Sequence, residues 1–359
     1  MITIGRKMTL EISNNRRSEI KRLVLTILNK YSKPCVPVKI GNIIRNIPNV
    51  KLITYSSQIK KYHITYEEMI VDAETRDSYV VCNSAMNRYC IYYNDLDYTI
   101  INSNRVRWNL AHELGHIVLG HHKHCKHHKL FRDGFSSSIY NYMEEEANYF
   151  AQLILVPHVV LYAFKVSNVM QLKNLCKISN NAARHRFRAY IDWKKNLEEN
   201  ISYDKPLFHF YYNFIYKKNC TTCGASMIQR SGKYCPICGT KTIQWGDGNM
   251  IYSKLDTHKN GKLTVCPNCS NEETDIEGDF CQICGENLVN KCSNDDCYYN
   301  EPLPSNARFC PICGSSSTFY NSGFLKKWDY KEPVDPFMEI PDGIDEQPPF
   351  DIDVELPFN

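Results

Sequence analysis

The sequence predicts an α+β domain over residues 1–203, three small cysteine-rich modules over 204–320 and a disordered acidic tail over 321–359. Three observations carry that prediction. Helical and strand periodicities alternate through the first 200 residues. Twelve of the seventeen cysteines fall into CxxC-type pairs in one segment, a pattern that reads as metal binding in a reducing compartment. The last 31 residues carry six prolines and a net charge of −9, a composition that cannot bury enough apolar surface to offset ordering entropy.

The elements follow in order. Ser18 to Lys30 places Ile20, Leu23, Val24 and Ile27 at helical spacing behind a serine cap. Tyr79–Cys82 and Tyr89–Tyr93 are β-branched and aromatic runs on either side of a short polar link, which predicts a hairpin. A helix is expected from Arg105 to Gly120, entered from Asn102-Ser103-Asn104, and another from Tyr140 to Val156 that stops at Pro157. Two short helical stretches then lead to Trp193, and an aromatic run over Phe208–Tyr216 precedes the cysteines.

Charge is unevenly spread. Residues 1–200 carry net +12, residues 201–328 net +1 and residues 329–359 net −9. No run of about eighteen uncharged apolar residues occurs, which excludes a transmembrane helix. The first residues lack the apolar stretch of a secretory signal, so a cytoplasmic location is expected.

The most informative stretch is Arg107-Trp-Asn-Leu-Ala-His112-Glu113-Leu-Gly-His116-Ile-Val-Leu-Gly. Positions i and i+4 share a helix face, so His112 and His116 can point at one metal ion. Zinc in a catalytic site takes three protein ligands and keeps one position open for water. Glu113 lies beside that water and can take its proton, while the metal lowers the water's pKa towards ~7. The competing reading, two surface histidines on an amphipathic helix, does not account for their apolar neighbours. The third ligand should come from Glu144-Glu-Glu-Ala-Asn-Tyr-Phe-Ala151. There Glu144 and Asn148 sit one turn apart, as in zincins that use a ligand glutamate and a polar residue to orient a histidine. Glu145 and Glu146 read instead as a solvated helix start. A metzincin-like alternative would use His122, but it needs glycine where this chain has Leu119. His121, His122, His124, Cys125, His127 and His128 are expected in an exposed loop.

On the residues Trp108-Asn-Leu-Ala-His-Glu-Leu-Gly-His and Glu144 to Pro157, the segment of about residues 9–200 resembles the ImmA/IrrE family of zinc metallopeptidases. Leu172 to Phe187 is similar to that family's helix-turn-helix-like segment. The resemblance implies His112 and His116 as zinc ligands, Glu113 as general base and an acidic residue of the second motif as third ligand. It further implies a zincin-like fold, and cleavage of a helix-turn-helix transcriptional repressor that controls a mobile element or stress regulon. In the helix-turn-helix-like segment, Arg184, His185, Arg186 and Arg188 read either as phosphate contacts or as a solvated face, and the solvated face is favoured.

Three cysteine sets follow: Cys220, Cys223, Cys235 and Cys238; Cys266, Cys269, Cys281 and Cys284; Cys292, Cys297, Cys310 and Cys313. Each suits a closed tetrahedral zinc, so the expectation is one catalytic and three structural zinc ions, with iron–sulfur ligation the alternative. A Tyr/Phe-Cys-Pro/Gln-Ile-Cys-Gly motif recurs at 234–239, 280–285 and 309–314, which marks three copies of one unit. Three zinc ions on twelve thiolates bring this segment to a net charge of about −5, poorly suited to phosphate and better suited to protein docking. The sequence thus predicts a zinc endopeptidase with a protein substrate and no membrane partner. The rival reading is a non-catalytic zinc-ribbon adaptor that binds a repressor or nucleic acid. Cys35, Cys82, Cys90, Cys125 and Cys176 lie outside the array and read as incidental thiols.

Overall fold

The computed structural model describes residues 12–83, 87–102, 104–124, 137–250 and 252–330. The chain divides into two compact units, Met1–Lys217 and Lys218–Asn359. Among the described residues no helix is long and apolar enough to cross a membrane. Of the tail expected to be disordered from residue 321, residues 321–330 are described and pack Phe324, Leu325 and Trp328 against the cysteine-rich cores, which corrects its start, and the rest lies outside the described residues.

The first unit is α+β. Helix α1 (Asn14–Tyr31) buries Ile20, Val24 and Leu28. Its cap is Ser13, which accepts from the Arg16 amide, and not Ser18. The Ser18 hydroxyl is already inside the helix, bonded back to the Asn14 carbonyl at 2.9 Å. After α2 (Ile40–Asn46) come β1 (Val50–Thr54), α3 (Tyr55–Tyr62) and α4 (Tyr66–Ala73), the last begun by a capping box of Thr65 and Glu68. The expected hairpin is β2 (Ser78–Asn83) and β3 (Arg88–Tyr93), paired antiparallel with Val80 opposite Ile91. Strand β1 lies parallel to β3 on its other side, so the sheet order is β1-β3-β2 and β2 is an edge strand.

Helices α5 (Tyr98–Asn102), α6 (Arg105–Val118) and α7 (Ser137–Leu155) follow, with a short 3-10 turn at His121–His124. Helix α7 ends before Pro157, as the sequence predicts, and three further helices lead to Trp193 and beyond: α8 (His158–Ala163), α9 (Val169–Cys176) and α10 (Asn180–Lys195). Two more, α11 (Leu197–Tyr203) and α12 (Lys205–Tyr216), complete the unit. Helix α12 contains the aromatic run. It buries Tyr211, Phe214 and Ile215 in the same core as Ile20 and Leu28, which is why the first unit extends to Lys217. That core also takes Leu110, Leu114, Phe150 and Ile154 from the facing sides of α6 and α7.

The second unit holds three zinc-ribbon-like modules around the cysteine tetrads. In each tetrad the four sulfur atoms lie within 4.8 Å of one another. Sulfur pairs stand 3.5 and 3.6 Å apart in the first two, and 3.5 and 3.9 Å in the third. Four thiolates about 2.3 Å from one tetrahedral ion would be separated by about 3.8 Å, so the spacing fits zinc. Strands β4 (Lys217–Cys220), β5 (Ser226–Ile228) and β6 (Ile243–Trp245) form a small sheet in the first module.

Two of the three repeated motifs dock on each other reciprocally. The Lys233 and Tyr234 amides donate to the Pro311 carbonyl at 2.8 and 3.0 Å, and the Arg308 and Phe309 amides donate to Pro236 at 2.7 and 3.0 Å. The Tyr234 ring covers Gly314 and the Phe309 ring covers Gly239, leaving no room for a Cβ at Gly314, where it would sit 2.6 Å from the ring. The middle motif stays open: Phe280 is 55% and Ile283 74% exposed, and nothing lies within 4 Å of a Cβ built on Gly285.

Candidate metal centre and cleft

Helix α6 carries His112 and His116 one turn apart, and α7 crosses it closely because Gly115 has no side chain. A Cβ on Gly115 would lie 3.2 Å from the Ala147 backbone and the Phe150 ring. This close crossing brings Glu144 to the two imidazoles. The His112 and His116 Nε2 atoms are 3.0 Å apart, and the Glu144 carboxylate lies 3.2 Å from the first and 3.4 Å from the second. Three ligand atoms about 2.0–2.1 Å from a tetrahedral zinc would stand about 3.3 Å apart, so the donor set fits that ion in both chemistry and spacing. His112, His116 and Glu144 are the group in this unit that could hold a metal, among the described residues.

Each imidazole is held by its other nitrogen. The His112 Nδ1 faces Asn148 Oδ1 at 3.2 Å, the orienting contact expected from the one-turn spacing in α7. The His116 Nδ1 faces His121 Nδ1 at 2.8 Å. Burial pushes the His116 imidazole down to about 3, so it stays neutral, which is the form that ligates metal. Burial opposes the charge of Glu144, but the adjoining His112 and His116 rings outweigh it and hold the carboxyl well below the ordinary range.

Glu113 lies beside this triangle. The Ser78 hydroxyl, at the start of β2, donates to its Oε1 at 2.9 Å. Burial raises the Glu113 carboxyl above the ordinary range, against the opposing pull of His112 and Ser78. All four residues line one cleft of about 1290 Å³, whose walls include Ser78, Tyr79 and Val80 of β2 and Tyr140 of α7.

The structure corrects several expectations around this centre. Glu145 is exposed on the cleft wall, solvated as expected but well inside α7 and not at its start. Glu146 is no solvated helix start: α7 has run two turns by then, and Glu146 is 2% exposed against Arg16 and His121. His121 and His122 are not in an exposed loop but buried, each 3% exposed, because the chain reverses at Gly120 (φ 74°) and tucks them under α6. His122 packs on the rings of Tyr89 and His116 and is not in the metal-binding group. Cys125, His127 and His128 lie outside the described residues. In α10, His185 and Arg186 border the metal cleft, whereas Arg184 and Arg188 are exposed. Spacing along the chain could not reveal Ser78, His121 or Arg16, since each reaches the site through tertiary packing.

No curated protein matches this chain. Residues 61–188, the stretch that carries every residue of this cleft from Ala73 to Arg186, match the family model Peptidase_M78, the IrrE N-terminal-like domain.

Proposed function

We propose that this protein is a zinc-dependent endopeptidase whose substrate is a protein, and that His112, His116 and Glu144 hold the zinc. The observation that carries the reading is the convergence of three ligand atoms within 4.8 Å of one another in an open cleft, with Glu113 alongside. A bound zinc would supply Lewis-acid polarisation of the scissile carbonyl and of a water molecule. Glu113 takes the proton of the attacking water and returns it to the leaving amine. Its raised pKa suits both halves of that task. Ser78 fixes one Glu113 oxygen and leaves the other for water. Strand β2, the outer strand of the described sheet, lines the cleft and can take an extended substrate segment alongside it, which aligns a peptide bond with Glu113.

The substrate class we assign is a helix-turn-helix transcriptional repressor, on the resemblance of the α6, α7 and α9–α10 sequences to repressor-cleaving peptidases. Cleavage would relieve repression of a mobile element or stress regulon in the cytoplasm. The three cysteine tetrads hold structural zinc in this reading, and the exposed Phe280, Ile283 and Tyr298 offer an apolar surface for docking protein. The same surface favours the second reading, an adaptor that binds a repressor without cutting it.

The test is a search beside its gene for one that encodes a helix-turn-helix repressor, then incubation of that repressor with the zinc-loaded chain and mass spectrometry of the products. The wild type should yield one defined pair of fragments, and Glu113→Gln, with its zinc retained, should yield none. Binding of the repressor with no cleavage by the wild type would establish the adaptor instead.

A further inference from the structure

We infer that Arg16, Glu146 and His121 form a positioning chain for the metal ligand His116, so that α1 is part of the metal centre. The inference rests on the zinc-site reading above. The Nε2 of His116 faces His112 and Glu144, so its remaining hydrogen belongs on Nδ1. Among the described residues that hydrogen meets the Nδ1 of His121 at 2.8 Å, which must then be unprotonated. His121 therefore carries its own hydrogen on Nε2, where Glu146 Oε2 accepts it at 3.0 Å. Glu146 is fixed in turn by the Arg16 guanidinium, which donates from Nε to Oε1 at 2.6 Å and from Nη2 to Oε2 at 2.8 Å. Arg16 is steadied from its own helix by Glu19 at 2.9 Å.

Every donor in the series meets an acceptor in one direction, from His116 through His121 to a charged carboxylate. Such an arrangement fixes the ring angle of the ligand and raises its basicity towards metal. His116, His121 and Glu146 are each at most 3% exposed, so solvent does not substitute for the links between them, while the Arg16 side chain at the outer end is 26% exposed. The two histidine ligands are thus supported unequally. His112 leans on the neutral amide of Asn148, within α7. His116 leans on an ionised carboxylate tied to a helix that precedes residue 61, where the family match begins.

A purely structural alternative is that Arg16 and Glu146 are a buried ion pair that pins α1 to α7, with His121 filling space. Two substitutions separate these roles. His121→Phe keeps the ring and the ion pair but removes both nitrogens, and His121→Gln keeps an acceptor for His116 and a donor for Glu146. Zinc affinity is read on the full chain by chelator competition, after the thiolate-bound ions are counted by release with a mercurial. The wild type should hold one ion that the mercurial does not release. His121→Phe should weaken that ion ten- to a hundredfold, the usual range for residues that orient a metal-bound histidine. His121→Gln should recover most of the loss. Equal affinity in wild type and His121→Phe would overturn the inference and leave the zinc reading standing. Absence of the mercurial-resistant ion in the wild type would overturn the zinc reading itself, and the inference with it.

Discussion

Replacing Gly115 by alanine puts the geometry of the metal triangle under direct strain. The residue lies in α6 between the two histidines, and the added Cβ would sit 3.2 Å from Ala147 Cα, Ala147 O and the Phe150 ring. Two opposing terms decide the outcome. Alanine is favoured over glycine within a helix by about 0.8–1 kcal/mol. Overpacking a close-packed crossing costs about 1–3 kcal/mol, because backbone atoms cannot rotate away as a side chain can. Two of the three atoms met are backbone, so the cost should prevail, with net destabilisation of up to about 2 kcal/mol. The relief available is a few tenths of an ångström between α6 and α7, which moves Glu144 from His112 and His116. Urea unfolding of wild type and Gly115→Ala, each with and without added zinc, reads both effects. The variant should be less stable, and zinc should stabilise it less than it does the wild type. A variant more stable by the helix-propensity term, with an unchanged response to zinc, would refute the reasoning.

Other outcomes follow from the same structure. Metal analysis should give four zinc ions per chain. Glu144→Ala should reduce this to three, and His122→Ala should leave four, since His122 stands outside the ligand group. Gly314→Ala meets the Tyr234 ring at 2.6 Å at a φ of 82°, whereas Gly285→Ala, at a φ of 76°, meets nothing within 4 Å. Thermal unfolding of the second unit should therefore lose about 1–2 kcal/mol for Gly285→Ala from the backbone conformation, and about 1–3 kcal/mol more for Gly314→Ala. His158 packs against the rings of Tyr190 and Trp193, and burial followed by the charges of Arg186 and Lys21 pushes it down to about 3. Its folded pKa lies below the unfolded value of about 6.5, so the unfolded chain binds the proton first and stability falls as pH drops from 6.5 towards 3, by at most about 1.4 kcal/mol per unit. His158→Gln should flatten the decline in urea midpoint between pH 7 and pH 5. An equally steep decline in the variant would assign it to other groups.

Local pattern made the ligand helix, the hairpin and the cysteine tetrads legible in the sequence. His112 and His116 lie one turn apart, Glu144 and Asn148 lie one turn apart, and each CxxC pair closes within a single turn. What escaped was whatever depends on how elements come together. The histidines after Gly120 look like a polar loop by composition, and only the reversal at Gly120 turns His121 inward. Glu146 looks like one of three equivalent acids until α1 delivers Arg16 from 130 positions away. The repeat of the knuckle motif was visible, but not its pairing. Reciprocal docking consumes copies two at a time, so an array of three leaves one motif open, and its Phe280 and Ile283 stay exposed.

The physical unit around the cleft is therefore larger than the stretch a family model captures. Residues 61–188 supply His112, His116, Glu144, Glu113 and Ser78. Yet the core beneath them is closed by Ile20, Val24 and Leu28 from α1, and by Tyr190, Trp193 and Tyr211 from the helices that follow. Lys21 of α1 and Trp193 of α10 both bond Asp204, at 2.8 and 2.9 Å, so the two flanks are joined to each other behind the metal centre. Helix α1 thus meets the matched segment at Glu146 on one side and the C-terminal helices at Asp204 on the other. His116 is thereby connected to α1 through His121, Glu146 and Arg16, whereas His112 of α6 contacts Asn148 of α7. Of the two histidines, His116 is the one whose support runs through a charged carboxylate to a helix outside the matched stretch.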